Sequence, residues 1–147
     1  MNYIKDWLIP DLKSLEAKRS SLTHMREEIE TLKLEETAIK ATDYDRINVS
    51  GGGENHQEEK LIANIAKRSE LEMNLEVTRQ QVEALDRLLS ELPKDERLIL
   101  DRMFIHRERN AAESLAVSLG YDVRRIYQKK DEALRNLARR RFGQVRE

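Results

Sequence analysis

The chain contains no cysteine, so neither a disulfide nor a thiolate-held metal can form in it. It has two prolines, Pro10 and Pro93, and the 82 positions between them are free of that helix breaker. Of its five glycines three are consecutive, Gly51 to Gly53, which leaves long stretches without a flexible point. Aromatic residues make up 5% of the chain, few for a β-rich fold. No run approaches the roughly 20 apolar residues that cross a bilayer. The opening MNYIKDWLIPDLK lacks the apolar core of a signal peptide. A cytoplasmic location, with no membrane partner, is the expectation.

What is present is charge and helical periodicity. Charged residues are 37% of the 147 positions and apolar ones 39%, a balance rich in Leu, Glu, Lys and Arg. That composition predicts long helices, and with the periodicity described below the expected fold is all-α: a long antiparallel coiled-coil helical hairpin followed by a small C-terminal helix-turn-helix domain. The net charge of −1 hides a split. Residues 1–93 hold 13 Lys and Arg against 19 Asp and Glu, a net of −6, whereas residues 94–147 hold 14 against 9, a net of +5. An acidic arm on a basic head is the asymmetry expected when only the head meets phosphate.

The arm is expected over residues 1–92. Leu15, Leu22, Ile29 and Glu36 recur every seven residues, with Met25, Leu32 and Ile39 between them, over a helix spanning 11–41. Trp7 is expected to anchor the lead-in against another helix. Glycine costs a helix about 1 kcal/mol each, so a Gly-rich loop is expected at about 42–54. No Lys-Ser or Lys-Thr follows these glycines, and the phosphate-loop fingerprint fails. A second helix, about 55–92, carries Leu71, Leu75, Thr78, Val82, Leu85, Leu89 and Leu92, extended by Leu61 and Ile65. Two such narrow stripes must pair with each other or with a second subunit, and a homodimer through the arm is expected.

His24, His56 and His106 stand far apart, without the spacing of a metal motif, and no nucleophile–base pair is visible. The expectation is no enzyme, no cofactor and no metal.

Residues 93–147 form the second expected domain. Ala112, Leu115, Ala116 and Leu119 make an inward stripe, Gly120 follows, and Asp122 can cap a longer basic helix over 122–141. That is the layout of a helix-turn-helix, whose second helix enters the DNA major groove. Arg124, Tyr127 and Gln128 fall on the outer side of its first two turns. Arg125, Lys129 and Lys130 suit phosphates, and Asn110 suits a cap or a phosphate.

From Ser114 to Leu137 the segment resembles the promoter-reading C-terminal domain of bacterial sigma factors (region 4). The likeness rests on Ser114-Leu115-Ala116, Leu119-Gly120 and Asp122-Val123-Arg124-Arg125-Ile126-Tyr127-Gln128. The run Leu88, Leu89, Leu92, then PKDERLILDRM, is similar to the opening of that domain. The chain departs from it at Tyr121, and at Lys129-Lys130, where a core aliphatic is usual. Nothing here is similar to the core-binding or −10-reading regions, so promoter melting is not implied. The whole chain resembles phage and prophage transcriptional regulators of the ArpU/RinA type. That resemblance implies double-stranded DNA as partner, RNA polymerase as a second, and Val123, Arg124, Tyr127 and Gln128 at the base-reading positions. Two other readings fit the layout: a small-terminase-like DNA-packaging protein, and a helical module that binds RNA polymerase or a sigma factor.

Overall fold

The structure, a computed structural model, describes residues 2–46 and 54–144. Among these residues all regular structure is helical: α1 (Ile9–Arg46), α2 (Glu54–Ser90), α3 (Lys94–Leu100), α4 (Ala111–Leu119) and α5 (Val123–Phe142). Two π-helical turns, Ile4–Leu8 and Asp101–Ile105, run directly into α1 and out of α3. The first lies just ahead of Pro10. A proline ring there would press on the carbonyl four residues back, and widening the turn relieves that pressure. Accordingly the Ile9 N–H donates to the carbonyl of Ile4, five residues back.

α1 is longer than its sequence pattern suggests. Thr42 to Arg46, expected in the connection, continue the helix, and residues 47–53 of the expected Gly-rich loop lie outside the described residues. No helix of the described residues is long and apolar enough to cross a membrane.

The chain divides into two compact units, Met1–Arg19 with Gln81–Glu147, and Ser20–Gln80. The boundary expected at 92/93 therefore falls inside the first of them.

In that first unit, Leu8, Leu12 and Leu15 form an i, i+4, i+7 stripe with 1% exposure or less. The turn Ile4–Leu8 packs on α5. The Tyr3 ring lies 5.1 Å from that of Phe142, and Asp11 pairs with Arg141 at 2.6 Å. Trp7, expected as the anchor, is 49% exposed; the helical phase gives that place to Leu8. α5 also packs against α3 and α4. Ile99, Ala111, Ala112, Leu115 and Ile126 make the centre of a cluster that Leu98, Met103, Ala116, Leu119 and Tyr121 enclose.

In the second unit, α1 contributes Leu22, Ile29 and Leu32 to the interior. The inward positions of α2 are Gln57, Leu61, Asn64, Arg68, Leu71, Leu75 and Thr78, alternating four and three apart. Three of the first four are polar. Asn64, 6% exposed, donates from Nδ2 to the Leu32 carbonyl at 2.8 Å, and Arg68 pairs with Glu36. Glu36 also meets Lys40 at 2.9 Å, and hydrogen bonds from Lys40 and then Arg68 hold its carboxyl below the usual range. Ile65, expected to extend the stripe, is 44% exposed, because the alternation runs through Asn64 instead.

The Asn64 Oδ1 atom is buried with no hydrogen-bond partner. Stranding a buried acceptor costs about 1–3 kcal/mol. Asn64→Leu is therefore expected to raise the midpoint of thermal unfolding, followed by circular dichroism, by about 3 °C. A lower midpoint would mean that the bond to Leu32 outweighs the stranded oxygen.

Candidate nucleic-acid interface

The site is built around the junction of α4 and α5. Gly120 closes α4 at φ +74°, a conformation that glycine adopts without strain. Its N–H and that of Tyr121 both donate to the Ala116 carbonyl, at 3.0 and 3.1 Å. Two residues on, the Asp122 side chain accepts from the Arg125 N–H at 2.7 Å and starts α5. Ile126, Ala133, Leu134, Leu137 and Ala138 of α5 are buried. That stripe dictates which residues of α5 face outward. Val123, Arg124, Tyr127, Gln128 and Asp131 are exposed, all within the first nine residues of the helix.

The eight residues singled out in the sequence are not equivalent. Val123 and Tyr127 are 36% and 46% exposed. Arg124 makes no ion pair among the described residues. Gln128 accepts a long contact from Arg125 at 3.4 Å, and Arg125 also reaches Glu132 at 3.5 Å. Lys130 lies 3.2 Å from Asp131, with its ammonium 5.5 Å from the Tyr127 ring centre. Asn110 stands ahead of α4 in the left-handed region (φ +58°), and its side chain makes no capping bond.

Lys129 is placed differently from the phosphate contact read in the sequence. Its side chain is 16% exposed, its Nζ is 2.5 Å from Asp95 on α3, and it lies 5.3 Å from the Tyr121 ring centre. The Asp95 hydrogen bond holds the ammonium pKa above its usual value and the carboxyl below its own. Tyr121 and Lys129, two of the three residues at which the chain departs from the sigma-like pattern, are thus in contact with each other. Beside this pair Asn136 donates to buried Glu96 at 2.9 Å. Polar contacts here tie α5 to α3 where aliphatic packing was the usual pattern.

Two further arginines escaped the sequence reading. Arg107 and Arg109 are exposed in the segment leading to α4 and make no ion pair among the described residues. Their signal was the basic run HRER, which carries no helical period. Arg102 is less free, 3.7 Å from Glu108. His106 closes the preceding π-turn, with Nδ1 2.7 Å from Asp101 and Nε2 3.2 Å from Glu16. The nearby groove, about 570 Å³, is lined by Leu89, Leu98 and Ile105 and by Arg19 paired with Asp86.

Comparison of the chain with family models, with curated proteins and with solved structures gave no match.

Both carboxylates beside His106 favour the imidazolium, Asp101 most, and its pKa is raised above 6.5. The folded protein therefore holds this proton at pH values where the unfolded chain releases it. The stability so gained is complete below about pH 6.5 and is lost as pH rises through the folded-state value. Thermal midpoints of wild type are expected to fall between pH 6 and 8 relative to those of His106→Asn. Parallel pH profiles for the two proteins would remove this linkage.

Proposed function

We propose that this protein is a sequence-specific DNA-binding transcriptional regulator of phage or prophage type. In this reading α4, the Gly120 turn and α5 act as a helix-turn-helix, and the start of α5 enters the major groove. The segments of α1 and α2 in the second unit form a coiled-coil hairpin arm through which two copies join. The observation that carries the reading is the outer face of α5. Behind a side-chain cap, it presents Arg124 with no competing carboxylate, flanked by Val123, Tyr127 and Gln128.

An arginine can pair with guanine, and a glutamine with adenine, through two hydrogen bonds each. A good pair of this kind discriminates by about 1–3 kcal/mol. Tyr127 and Val123 offer apolar surface to a thymine methyl. Phosphate contacts fall to cations near the start of α4 and α5 that internal carboxylates leave available, among them Arg107, Arg109 and, by rearrangement, Arg125 and Lys130. Lys129 contributes to the head's stability through Asp95, and Asn110 places the start of α4.

The test is selection of duplex DNA from a random pool, then affinity measured against salt. Wild type is expected to enrich one motif, and Arg124→Ala with Gln128→Ala to lose it. Arg107→Ala with Arg109→Ala is expected to keep the motif and to reduce the salt slope by about one unit per contact removed. Lys129→Ala is expected to lower the thermal midpoint and leave the salt slope unchanged. Failure of wild type to enrich any motif would overturn the reading in favour of a module that binds a protein partner.

A further inference from the structure

We propose that Asp131 is a base-reading residue of α5 and that it selects a cytosine in the major groove. The proposal rests on the DNA-binding reading above and adds to it a group of the opposite charge. Arg124 only donates hydrogen bonds, Gln128 donates and accepts, and an ionised Asp131 only accepts.

Position comes first. At about 100° per residue, Asp131 falls about 20° from Arg124 around the helix, between Tyr127 and Gln128. Its side chain is 56% exposed. Along α5 it stands seven residues beyond Arg124, a rise of about 10 Å, which matches about three base pairs at 3.4 Å each. A face that lays Arg124 and Gln128 over base edges therefore carries Asp131 over base edges too.

α5 has two carboxylates, and they differ in what they meet. Glu132 pairs with Arg125 at 3.5 Å, so its charge is answered within the helix. Among the described residues Asp131 pairs only with Lys130, its neighbour in sequence, at 3.2 Å, and not with Arg135 one turn on. Adjacent residues do not share a helix face, so this contact holds α5 to nothing. Lys130 is also one of the cations that rearrange towards phosphate. Once it does so, both oxygens of Asp131 are free.

The chemistry of the groove then names the base. Phosphates repel a carboxylate, so Asp131 weakens binding to duplex DNA in general, and only a donor on a base edge offsets that. Guanine shows two acceptors there, and thymine an acceptor and a methyl group. Adenine sets its amino donor beside the N7 acceptor. Cytosine presents its N4 amino group with no acceptor on the same edge, and it is the base that an aspartate accepts from. A residue of this kind discriminates as much by penalising wrong bases as by holding the right one.

Selection of duplex DNA from a random pool at about 150 mM salt tests this with wild type, Arg124→Ala, Asp131→Ala and Asp131→Asn. The wild-type motif is expected to hold a C·G pair about three base pairs from the position that Arg124→Ala releases. Asp131→Ala is expected to relax that pair alone, from about tenfold preference to indifference, and to bind unrelated duplex more tightly. Asp131→Asn is expected to move the same position towards A·T, since an amide donates to N7 and accepts from N6. Because the side chain is exposed, both variants are expected to keep the helical circular-dichroism signal of wild type. A motif unchanged in Asp131→Ala, a loss spread evenly over all positions, or no C·G pair at that spacing would each overturn this assignment and leave the DNA reading standing. No motif from wild type would overturn both.

Discussion

The buried stripe of α5 is the constraint on which the first unit depends. Ile126, Ala133, Leu134, Leu137 and Ala138 are the residues that α3, α4 and the Ile4–Leu8 turn are available to cover. A helix with that stripe cannot stand alone in water, and covering it orients everything else on the helix. The same rotation that buries Ile126 turns Arg124 and Tyr127 outward. Outward face and core are thus two sides of one packing decision. Any change that rotated α5 would alter both.

Charge on α5 is divided by the same logic. Arg141, Arg140 and Lys129 meet Asp11, Glu91 and Asp95, and they hold the helix to the rest of its unit. Arg124 near the start has no such partner among the described residues. Exposed ion pairs contribute little each. Their consequence is positional: they commit Lys129, Arg140 and Arg141 to the fold and leave Arg124, at the exposed start of the helix, with its charge unpaired among the described residues. A basic run that looks uniform in one dimension is therefore two populations in three.

The second unit uses polarity inside its contact. Gln57, Asn64 and Arg68 occupy inward positions of α2 where leucine would bury more apolar area. Asn64 and Arg68 are matched to the Leu32 carbonyl and to Glu36. One buried amide can select a register at some cost in stability, because a slip strands it. The apolar residues so displaced, Ile62 and Ile65, stand on the outside of the helix.

The all-helical class was legible from the sequence because heptad spacing, the scarcity of proline and glycine, and the Gly120–Asp122 punctuation act locally. The outward set on α5 was legible too, since a 3.6-residue period assigns faces without knowing what covers them. What only the tertiary structure decided were the pairings over long separations. Residues 1–19 join the C-terminal unit through contacts such as Tyr3–Phe142 and Asp11–Arg141, which no local pattern announces. Lys129 read as a phosphate contact until Asp95, 34 positions away, took its charge. Ile65 read as core because hydrophobicity was the only signal, whereas Asn64 holds the inward position through a backbone carbonyl 32 residues distant. Periodicity determines which side of a helix a residue occupies; only the fold decides which side another helix covers.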